Sequence, residues 1–188
     1  MLDTILDSPL SSWLQLDTDA TDHIVISSRI RLARNFDGIL FTNRNDMSSL
    51  EKVNTISRGL LQPLKEADGH QYSNINLEQL SERECAILVE KHLMSPALEE
   101  KLPYRNLVVS DDASIVIMVN EEDHLRIQSM VSGLRLEVAY ERVLKIDKAI
   151  EEKYPYAFDE RFGYLTACPT NVGTGLRASV MLHLPALT

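Results

Sequence analysis

Acidic and basic side chains crowd together at residues 120–126, which read Asn-Glu-Glu-Asp-His-Leu-Arg and follow an apolar run. Adjacent carboxylates at the end of a buried strand are costly unless a cation neutralises them. If the backbone stays extended, strand alternation places Glu122, His124 and Arg126 on one side, and the opposite side carries Glu121 and Asp123. The segment therefore predicts either a place where carboxylates meet a cation or a solvated acidic turn.

Arginines recur on the polar faces of predicted strands. A planar guanidinium suits phosphate or carboxylate oxygens, and several such strands in one sheet would bring their arginines to one multiply charged anion. The alternative is that each arginine pairs with a nearby acidic residue in this acidic chain. The four arginines are Arg29, Arg31, Arg126 and Arg177.

A loop with two glycines runs over residues 168–175, Cys-Pro-Thr-Asn-Val-Gly-Thr-Gly. Its glycines permit a close approach of backbone amides to a ligand, but it lacks the Gly-Lys-Ser/Thr of a Walker loop. Cys168 is then either a thiol at the site or a packed, inert one. His92, on an apolar stripe, is likewise either a core histidine or a ligand-binding one.

Together these residues predict a site that holds a polyphosphate against arginines while carboxylates receive a cation. Transfer of a phosphoryl group to a guanidine needs these parts. A guanidinium has a pKa above about 12, so it becomes a nucleophile only when a carboxylate orients it and takes a proton. Arginines and Mg²⁺ hold the phosphates as the terminal phosphoryl group passes in line.

Period-two alternation predicts the strands that position these residues. In the first of them Arg29 and Arg31 share one face, and the segment at 114–119 is apolar on both faces and therefore central in its sheet. The strand-like segments are 23–34, 107–109, 114–119, 162–167 and 176–184.

Helical spacing of apolar residues predicts helices over residues 46–66, 77–95 and 134–153, the first two separated by the polar stretch 68–76. Strand pairs with short turns and helices between them predict an α+β fold, with a mostly antiparallel sheet flanked by helices.

The chain divides at residue 22. Residues 1–22 predict a short leader that packs through Trp13, Leu14 and Leu16 without a core of its own, and residues 23–188 predict one domain. Because the sequence stops directly after a strand, we expect it to belong to a longer protein.

Composition excludes several classes. With 28 acidic and 19 basic side chains in 188 residues, the net charge is −9, which argues against nucleic-acid and membrane-surface partners. No apolar run approaches the roughly 20 residues that span a bilayer. The two cysteines form no disulfide framework and no zinc-like Cys/His spacing occurs, so we expect a cytoplasmic protein with reduced thiols and no structural metal.

Three segments resemble the ATP:guanido phosphotransferases, the family of creatine and arginine kinases. The last of them resembles the family signature around the active-site cysteine, and the similarity runs from about residue 22 to the end. This places the chain as the N-terminal part of the family's catalytic domain. The segments are Ser27-Ser-Arg-Ile-Arg31, Val119-Asn-Glu-Glu-Asp-His-Leu-Arg-Ile127 and Cys168-Pro-Thr-Asn-Val-Gly-Thr-Gly-Leu-Arg-Ala-Ser-Val180.

The resemblance implies roles for individual residues, with ATP and Mg²⁺ as cofactors. Glu122 is implied as the base that orients and deprotonates the guanidinium, aided by Glu121 or Asp123, and Cys168 as a contact to the guanidinium. The residues implied to contact ATP are Ser27, Ser28, Arg29, Ile30, Arg31, His92, Arg126, Arg177, Ala178, Ser179, Val180 and Met181.

Within the family, the chain is most similar to the bacterial protein-arginine kinases, which phosphorylate arginine side chains in proteins. Small-molecule members carry a helical domain before the Ser-Ser-Arg-Ile-Arg counterpart, whereas 26 residues precede it here. This implies an open site that admits a protein side chain. The alternatives are a free-arginine kinase and a truncated, inactive nucleotide-binding fragment, and a homodimer or a regulatory activator protein stays open as a partner.

Overall fold

The computed structural model describes residues 2–8, 14, 24–44, 46–100 and 102–185. Helices cover a twisted antiparallel sheet. The helices are α1 (Leu2–Asp7), α2 (Met47–Gly59), α3 (Leu61–Asp68), α4 (Glu82–Glu90) and α5 (Leu136–Glu151). The strands are β1 (Val25–Arg34), β2 (Tyr72–Asn76), β3 (Asn106–Ser110), β4 (Ile115–Val119), β5 (Leu125–Ser132), β6 (Phe158–Asp159), β7 (Gly163–Tyr164) and β8 (Leu176–Leu182).

The main sheet has the strand order β2-β3-β4-β5-β1-β8, and its neighbours pair antiparallel. A separate two-stranded hairpin joins β6 to β7. The predicted α+β class with a mostly antiparallel sheet is confirmed. The prediction that the strand at 114–119 is central in the sheet is also confirmed, since β4 lies between β3 and β5 and is buried throughout.

One face of the sheet packs on α2, α3 and α5. Ile30 and Leu32 of β1 point into this core, where they meet Val143 and Ile146 of α5. The predicted helix at 134–153 is therefore confirmed as one that covers the sheet, with its apolar stripe buried. Burial of large aliphatic side chains such as these stabilises a fold by about 1.5–3 kcal/mol each.

The opposite face packs on α1 and α4, but over a different part of the sheet. Its core contains Val116 and Met118 of β4, Leu88 of α4 and Ile5 of α1. Strand alternation explains this division, because successive residues of β4 point to opposite faces. On this face β1 presents its arginines rather than apolar side chains, and the functional site begins there.

Helix ends follow local capping chemistry. Asp46 accepts a hydrogen bond from the Ser49 N–H at the start of α2. Ser81 and Glu84 form a capping box at the start of α4. At the end of α3, Gly69 takes a left-handed conformation with φ of +86°, which glycine adopts without steric cost.

Several predicted elements differ from the structure. The single helix predicted over 46–66 is divided at Leu60 into α2 and α3. The helix predicted over 77–95 reduces to α4, after a short 3₁₀ turn at Leu77–Gln79. The polar stretch at 68–76 was expected as a separator but contains β2, and residues 162–167 form only the two-residue β7.

The N-terminal segment packs differently from the expectation. α1 contacts α4, and Ile5 is buried in the second core. Leu14 packs against the same core, as expected for that residue, whereas Trp13 and Leu16 lie outside the described residues. Among the described residues, no helix has the length and apolar character needed to cross a lipid bilayer.

Candidate active site

The register of three neighbouring strands brings the predicted arginines together. β1 pairs with β8 so that Arg31 lies opposite Arg177 and Arg29 opposite Ser179. On its other side β1 pairs with β5, and Ala33 lies opposite Arg126. The strand alternation predicted for residues 23–34 is correct for the arginines. Their side chains therefore emerge on the face of the sheet opposite α5.

A first cavity of about 180 Å³ lies over this face. Arg29 enters it from β1, and its Nε lies 3.3 Å from the hydroxyl oxygen of Ser179 on β8. His92 approaches from the segment after α4, so residues distant in sequence line one cavity. The lining residues are Ser27, Arg29, His92, Met130, Ser179, Val180 and Met181.

A second cavity of about 260 Å³ adjoins the next residues along the same strands. Here arginines face a carboxylate and a thiol, which is the juxtaposition that the sequence predicted from separate motifs. The lining residues are Arg31, Leu32, Ala33, Glu122, Arg126, Cys168, Thr170, Asn171, Gly175 and Arg177.

The arginines lack negative partners within the described part of the chain. Of the four, Arg126 alone has a carboxylate within 4.0 Å there. Burial, together with repulsion from Arg29, Arg126 and Arg177, lowers the pKa of Arg31 to about 10, although Glu121 opposes the shift. Burial and the charges of Arg177 and Arg126 likewise lower the pKa of Arg29. Such a cluster is stabilised by an anion of several charges.

One guanidinium atom indicates where such an anion would bind. The Nε of Arg31 is buried and has no hydrogen-bond partner among the described residues. An unsatisfied buried donor costs about 1–3 kcal/mol. Arg31 lines the second cavity, and Arg29, two residues earlier on the same face of β1, lines the first.

The acidic segment forms a tight turn between β4 and β5 rather than an extended strand. Asn120 takes a left-handed conformation with φ of +56°, and its N–H donates to the carbonyl oxygen of His124 at 3.0 Å. The side-chain amide nitrogen of Asn120 also donates to the carbonyl oxygens of Leu50 and Tyr104. The expected alternation of side chains along residues 121–126 is therefore wrong, because the turn breaks the strand period.

The turn sends Glu121 and Glu122 to different surroundings. Glu121 is buried, and its Oε1 accepts hydrogen bonds from Arg126 and Ser95, both at 2.7 Å. Glu122 is more exposed, and its Oε2 lies 3.7 Å from Nη2 of Arg126 and 3.4 Å from the amide nitrogen of Asn171. Glu121 thus neutralises Arg126, and Glu122 is the carboxylate that reaches the second cavity.

His124 and Asp123 point away from both cavities into the protein. The ring of His124 is fully buried, its Nδ1 accepts the Phe36 N–H at 3.0 Å and its Nε2 lies 2.9 Å from the Leu40 carbonyl oxygen. Burial lowers the pKa of His124, so the neutral ring persists. The expectation that His124 shares the face of Glu122 is corrected by these contacts.

The glycine-containing loop approaches the site through Cys168. Its Sγ lies 3.0 Å from the hydroxyl oxygen of Thr170, and the thiol is half-buried on the wall of the second cavity. Gly175, with φ of +61°, lies so close to β1 that a Cβ would stand 2.6 Å from the carbonyl oxygen of Ala33. The loop therefore needs glycine there to dock on β1.

His92 lies beyond the end of α4 and not on a helical stripe. Its φ is +58°, and the buried side chain of Gln128 donates to its carbonyl oxygen at 2.8 Å. The ring is exposed at the first cavity, so the interpretation as a core histidine is wrong.

Two predicted ATP contacts lie on the other face of the sheet. The hydroxyl of Ser28 donates to the carbonyl oxygen of Gly133 and accepts from the Arg135 N–H, and Ile30 is buried in the α5 core. Ala178 lies opposite Ile30 in the register. Strand alternation thus turns the side chains of Ser28 and Ile30 away from the cavities, and contact of these residues with ATP through their backbone stays a prediction.

Comparison with known proteins shows the family. A family model described as the C-terminal catalytic domain of ATP:guanido phosphotransferases matches residues 52–188. The chain belongs to this family. This membership confirms the family resemblance, and the matched residues include the second and third of the three motifs. The family description names ATP and a guanido group as the reactants.

Protein-arginine kinases are among the relatives of this chain. That of Syntrophomonas wolfei is 46% identical over 178 residues, with 94% of this chain and 50% of the relative covered. That of Halothermothrix orenii is 46% identical over 186 residues, with 99% of this chain and 52% of the relative covered. The chain spans about half the length of the curated relatives it matches.

Solved structures of guanidino kinases share the fold. A duplicated taurocyamine kinase from Schistosoma mansoni, with bound transition-state analogue components, has a TM-score of 0.79 and 29% identity, covering 100% of this chain and 26% of that one. A lombricine kinase has a TM-score of 0.73 and 26% identity, and the match covers 97% of this chain and 53% of the lombricine kinase chain.

Sequence reasoning missed residues that hold the site from outside the three motifs. Ser95 binds Glu121, Gln128 binds the backbone of His92, and Asn35 binds the acidic turn. Asn35 directly follows the arginine-bearing strand, which is a signal for a polar residue at a strand end. Ser95 and Gln128 carry no local signal, because only tertiary folding brings them to their partners.

Proposed function

We propose that this chain transfers the γ-phosphoryl group of ATP to the guanidino group of arginine side chains in proteins. The observation that carries the proposal is the pair of cavities along β1, where unpaired arginines adjoin Glu122 and Cys168. The names of the relatives support a protein substrate. Since those relatives are about twice as long, the activity is proposed for this chain rather than carried over to it.

ATP occupies the first cavity in this proposal, with its phosphates directed toward the second. Arg29 and Arg31 emerge from one strand on the same face, and Arg177 lies opposite Arg31 on the next strand. Three cations then meet the polyphosphate, and the orphaned Nε of Arg31 gains an acceptor. Removing mutual repulsion among the arginines adds to the binding free energy.

Glu122 acts as the base toward the incoming guanidinium. Its carboxylate is accessible at the second cavity and is held near Arg126 and Asn171. The guanidinium gives a proton to Glu122, its nitrogen forms a bond to the γ-phosphorus, and the bond from that phosphorus to the bridging oxygen breaks, releasing ADP. Cys168, on the same wall, contacts the guanidinium and helps to orient it. Positioning and electrostatic stabilisation supply most of such catalysis.

Magnesium accompanies ATP in this proposal. Among the described residues Glu121 lines neither cavity, and its Oε1 accepts from Arg126 and Ser95. Glu122 is the carboxylate that lines the second cavity, so it is the residue that would hold the ion, through one of the waters of Mg²⁺, beside the phosphates of ATP. When bound, the ion neutralises charge on the phosphates.

Three further predictions accompany the proposal. The division into a leader over 1–22 and a catalytic part over 23–188 is one. A cytoplasmic location is another, since the proposed reaction needs ATP. A homodimer or a regulatory activator protein as partner is the third.

The direct test incubates the purified chain with labelled Mg-ATP and an arginine-rich protein, and measures acid-labile phosphoarginine. Glu122→Gln should reduce transfer by about 10²–10⁴-fold, the usual contribution of a general base, while ATP affinity stays within about twofold. Glu99→Gln, an exposed charge elsewhere, is the matched control and should behave as wild type. ATP binding without transfer to any acceptor would reject the proposal.

Free L-arginine separates the two substrate classes. If it is phosphorylated, or competes strongly with the protein, the chain is a free-arginine kinase. If only protein arginines become labelled, the substrate class is the proposed one. The second cavity is open to solvent beside Cys168 and Asn171, which favours an acceptor that enters as a side chain of a larger molecule.

A further inference from the structure

We propose that Asp123 is a positioning residue, which holds the segment carrying Cys168 against the turn carrying Glu122. The inference rests on the proposed function for its catalytic meaning. It replaces the role of auxiliary base that the resemblance implied for Asp123. Glu122 directly precedes Asp123, and Ala167 directly precedes Cys168, so a contact between Asp123 and Ala167 fixes the two working side chains relative to each other.

One carboxylate oxygen makes that contact. Oδ1 of Asp123 accepts the Ala167 N–H at 2.6 Å and the side-chain amide of Asn35 at 2.7 Å. Both distances are short, as expected for hydrogen bonds to an ionised acceptor. Asp123 is 3% exposed, so water competes little for this oxygen.

Asn35 extends the contact into a three-way clasp. Its Oδ1 accepts the His124 N–H at 2.9 Å, and its Nδ2 also donates to the Leu165 carbonyl oxygen at 3.1 Å. Asn35 is 1% exposed and lies directly after β1. The end of β1, the acidic turn and residues 165–167 are thereby joined through two buried side chains.

These contacts argue against Asp123 as a base. Its Oδ1 already receives two N–H donors, and Asp123 is absent from the described residues that line the second cavity, whereas Glu122 and Cys168 are both present. A base must lie within hydrogen-bond reach of the proton that it takes. Asp123 therefore acts through the placement of its neighbours, where a shift of about 1 Å costs about 10²-fold in rate.

The test compares two replacements of Asp123. Asp123→Ala removes the acceptor and should lower kcat by about 10²-fold, with ATP affinity within about twofold of wild type. Asp123→Asn keeps an acceptor oxygen but is not a base, and it should recover most of kcat. Equal loss in the two variants would overturn the proposal, because a base would be lost in both.

Asp159→Ala is the matched control. Oδ1 of Asp159 also accepts two N–H groups, from Arg161 and Phe162, but in the β6–β7 hairpin. It should change stability without changing kcat. If Asp123→Ala does not fold, as judged by circular dichroism, Asp123→Asn decides alone. A kcat near that of wild type then supports a positioning role, and a loss of about 10²-fold or more overturns it.

Alkylation of Cys168 by iodoacetamide gives a readout that needs no turnover. Release of Ala167 should raise the alkylation rate of Cys168 several-fold in Asp123→Ala and little in Asp123→Asn or Asp159→Ala, with buried Cys85 as the internal reference. If wild type transfers no phosphoryl group, the proposed function fails and the clasp is judged on this rate alone. An unchanged rate in Asp123→Ala overturns the clasp, whether or not the chain is a kinase.

Discussion

Arg34 and Asp147 form a bidentate ion pair that joins the end of β1 to α5. Nε of Arg34 lies 3.0 Å from Oδ1 of Asp147 and Nη2 lies 2.8 Å from Oδ2, with both side chains nearly excluded from solvent. The remaining Nη1 donates to the carbonyl oxygens of Ala33 and Thr174, each at 2.9 Å. This arginine is thus committed to structure, unlike Arg29 and Arg31 on the same strand.

Replacing the carboxylate of this pair should destabilise the fold strongly. In Asp147→Asn the Arg34 guanidinium stays buried without a countercharge, and breaking a buried pair in this way costs about 3–5 kcal/mol. Urea unfolding measures the change. Asp37→Asn, an exposed carboxylate, should alter the free energy of unfolding by less than about 0.5 kcal/mol. A loss as small for Asp147→Asn would contradict the assigned role.

Two glycines with similar backbone conformation should respond differently to alanine. Gly38 and Gly175 have φ of +68° and +61°, but a Cβ at Gly38 meets nothing within 4 Å, whereas one at Gly175 meets Ala33 at 2.6 Å. Gly38→Ala should cost about 1–2 kcal/mol for the left-handed backbone alone. Gly175→Ala should cost about 1–3 kcal/mol more, since the backbone of β1 must shift. Equal losses in thermal and urea unfolding would show that the loop does not depend on this contact.

Removal of one unpaired arginine should weaken nucleotide binding. Arg177→Ala deletes a cation opposite Arg31, and a hydrogen bond to a charged group contributes about 1.5–3 kcal/mol, which corresponds to a loss of about 10–100-fold in affinity for Mg-ATP. Calorimetry in low and moderate salt measures it, and the difference from wild type should shrink as salt screens the charges. Arg58→Ala, on the exposed side of α2, should leave the affinity unchanged. Unchanged affinity in Arg177→Ala would place the phosphates elsewhere.

Hydrophobic patterns in the sequence predict side-chain direction correctly where one face of a strand or helix is buried and the other is polar. The alternation of β1 predicted that Arg29 and Arg31 share a face, and the stripe of α5 predicted its contact with the sheet. β2 was missed because Ser73, Asn74 and Asn76 give it little apolar character. Its pairing with β3 supplies the stabilisation instead.

The acidic turn shows why the site itself was only partly predictable. The residues were identified, but their directions depend on Asn120, whose left-handed backbone is held by Leu50 and Tyr104 from other elements. No local pattern carries that information. Arg126 binds Glu121 because of this turn. Strand alternation places Arg126 with Glu122 alone, so it could not predict that contact.

Acid should destabilise the protein through His124. Burial lowers the pKa of this ring below its ordinary 6.5, outweighing the Leu40 carbonyl and the Asp123 charge that raise it. The unfolded chain then binds a proton that the folded chain does not, so stability is complete above about pH 6.5 and falls as the pH drops below that value. Protonation would also remove the acceptor for the Phe36 N–H.

Unfolding free energies measured from about pH 5 to pH 8 test this, across the range where histidines titrate. His124→Gln should flatten the acid side, because an amide can accept from Phe36 and donate to Leu40 without titrating. His70→Gln is the contrasting variant: burial lowers the pKa of His70, but its hydrogen bond to Asp111 and the charges of Asp112 and Asp68 raise it overall. The stabilisation that protonated His70 contributes is present below about pH 6.5 and is lost as the pH rises through the raised pKa. His70→Gln should therefore flatten the alkaline side of the curve of unfolding free energy against pH. If the acid side keeps its slope in His124→Gln, another group causes the acid destabilisation.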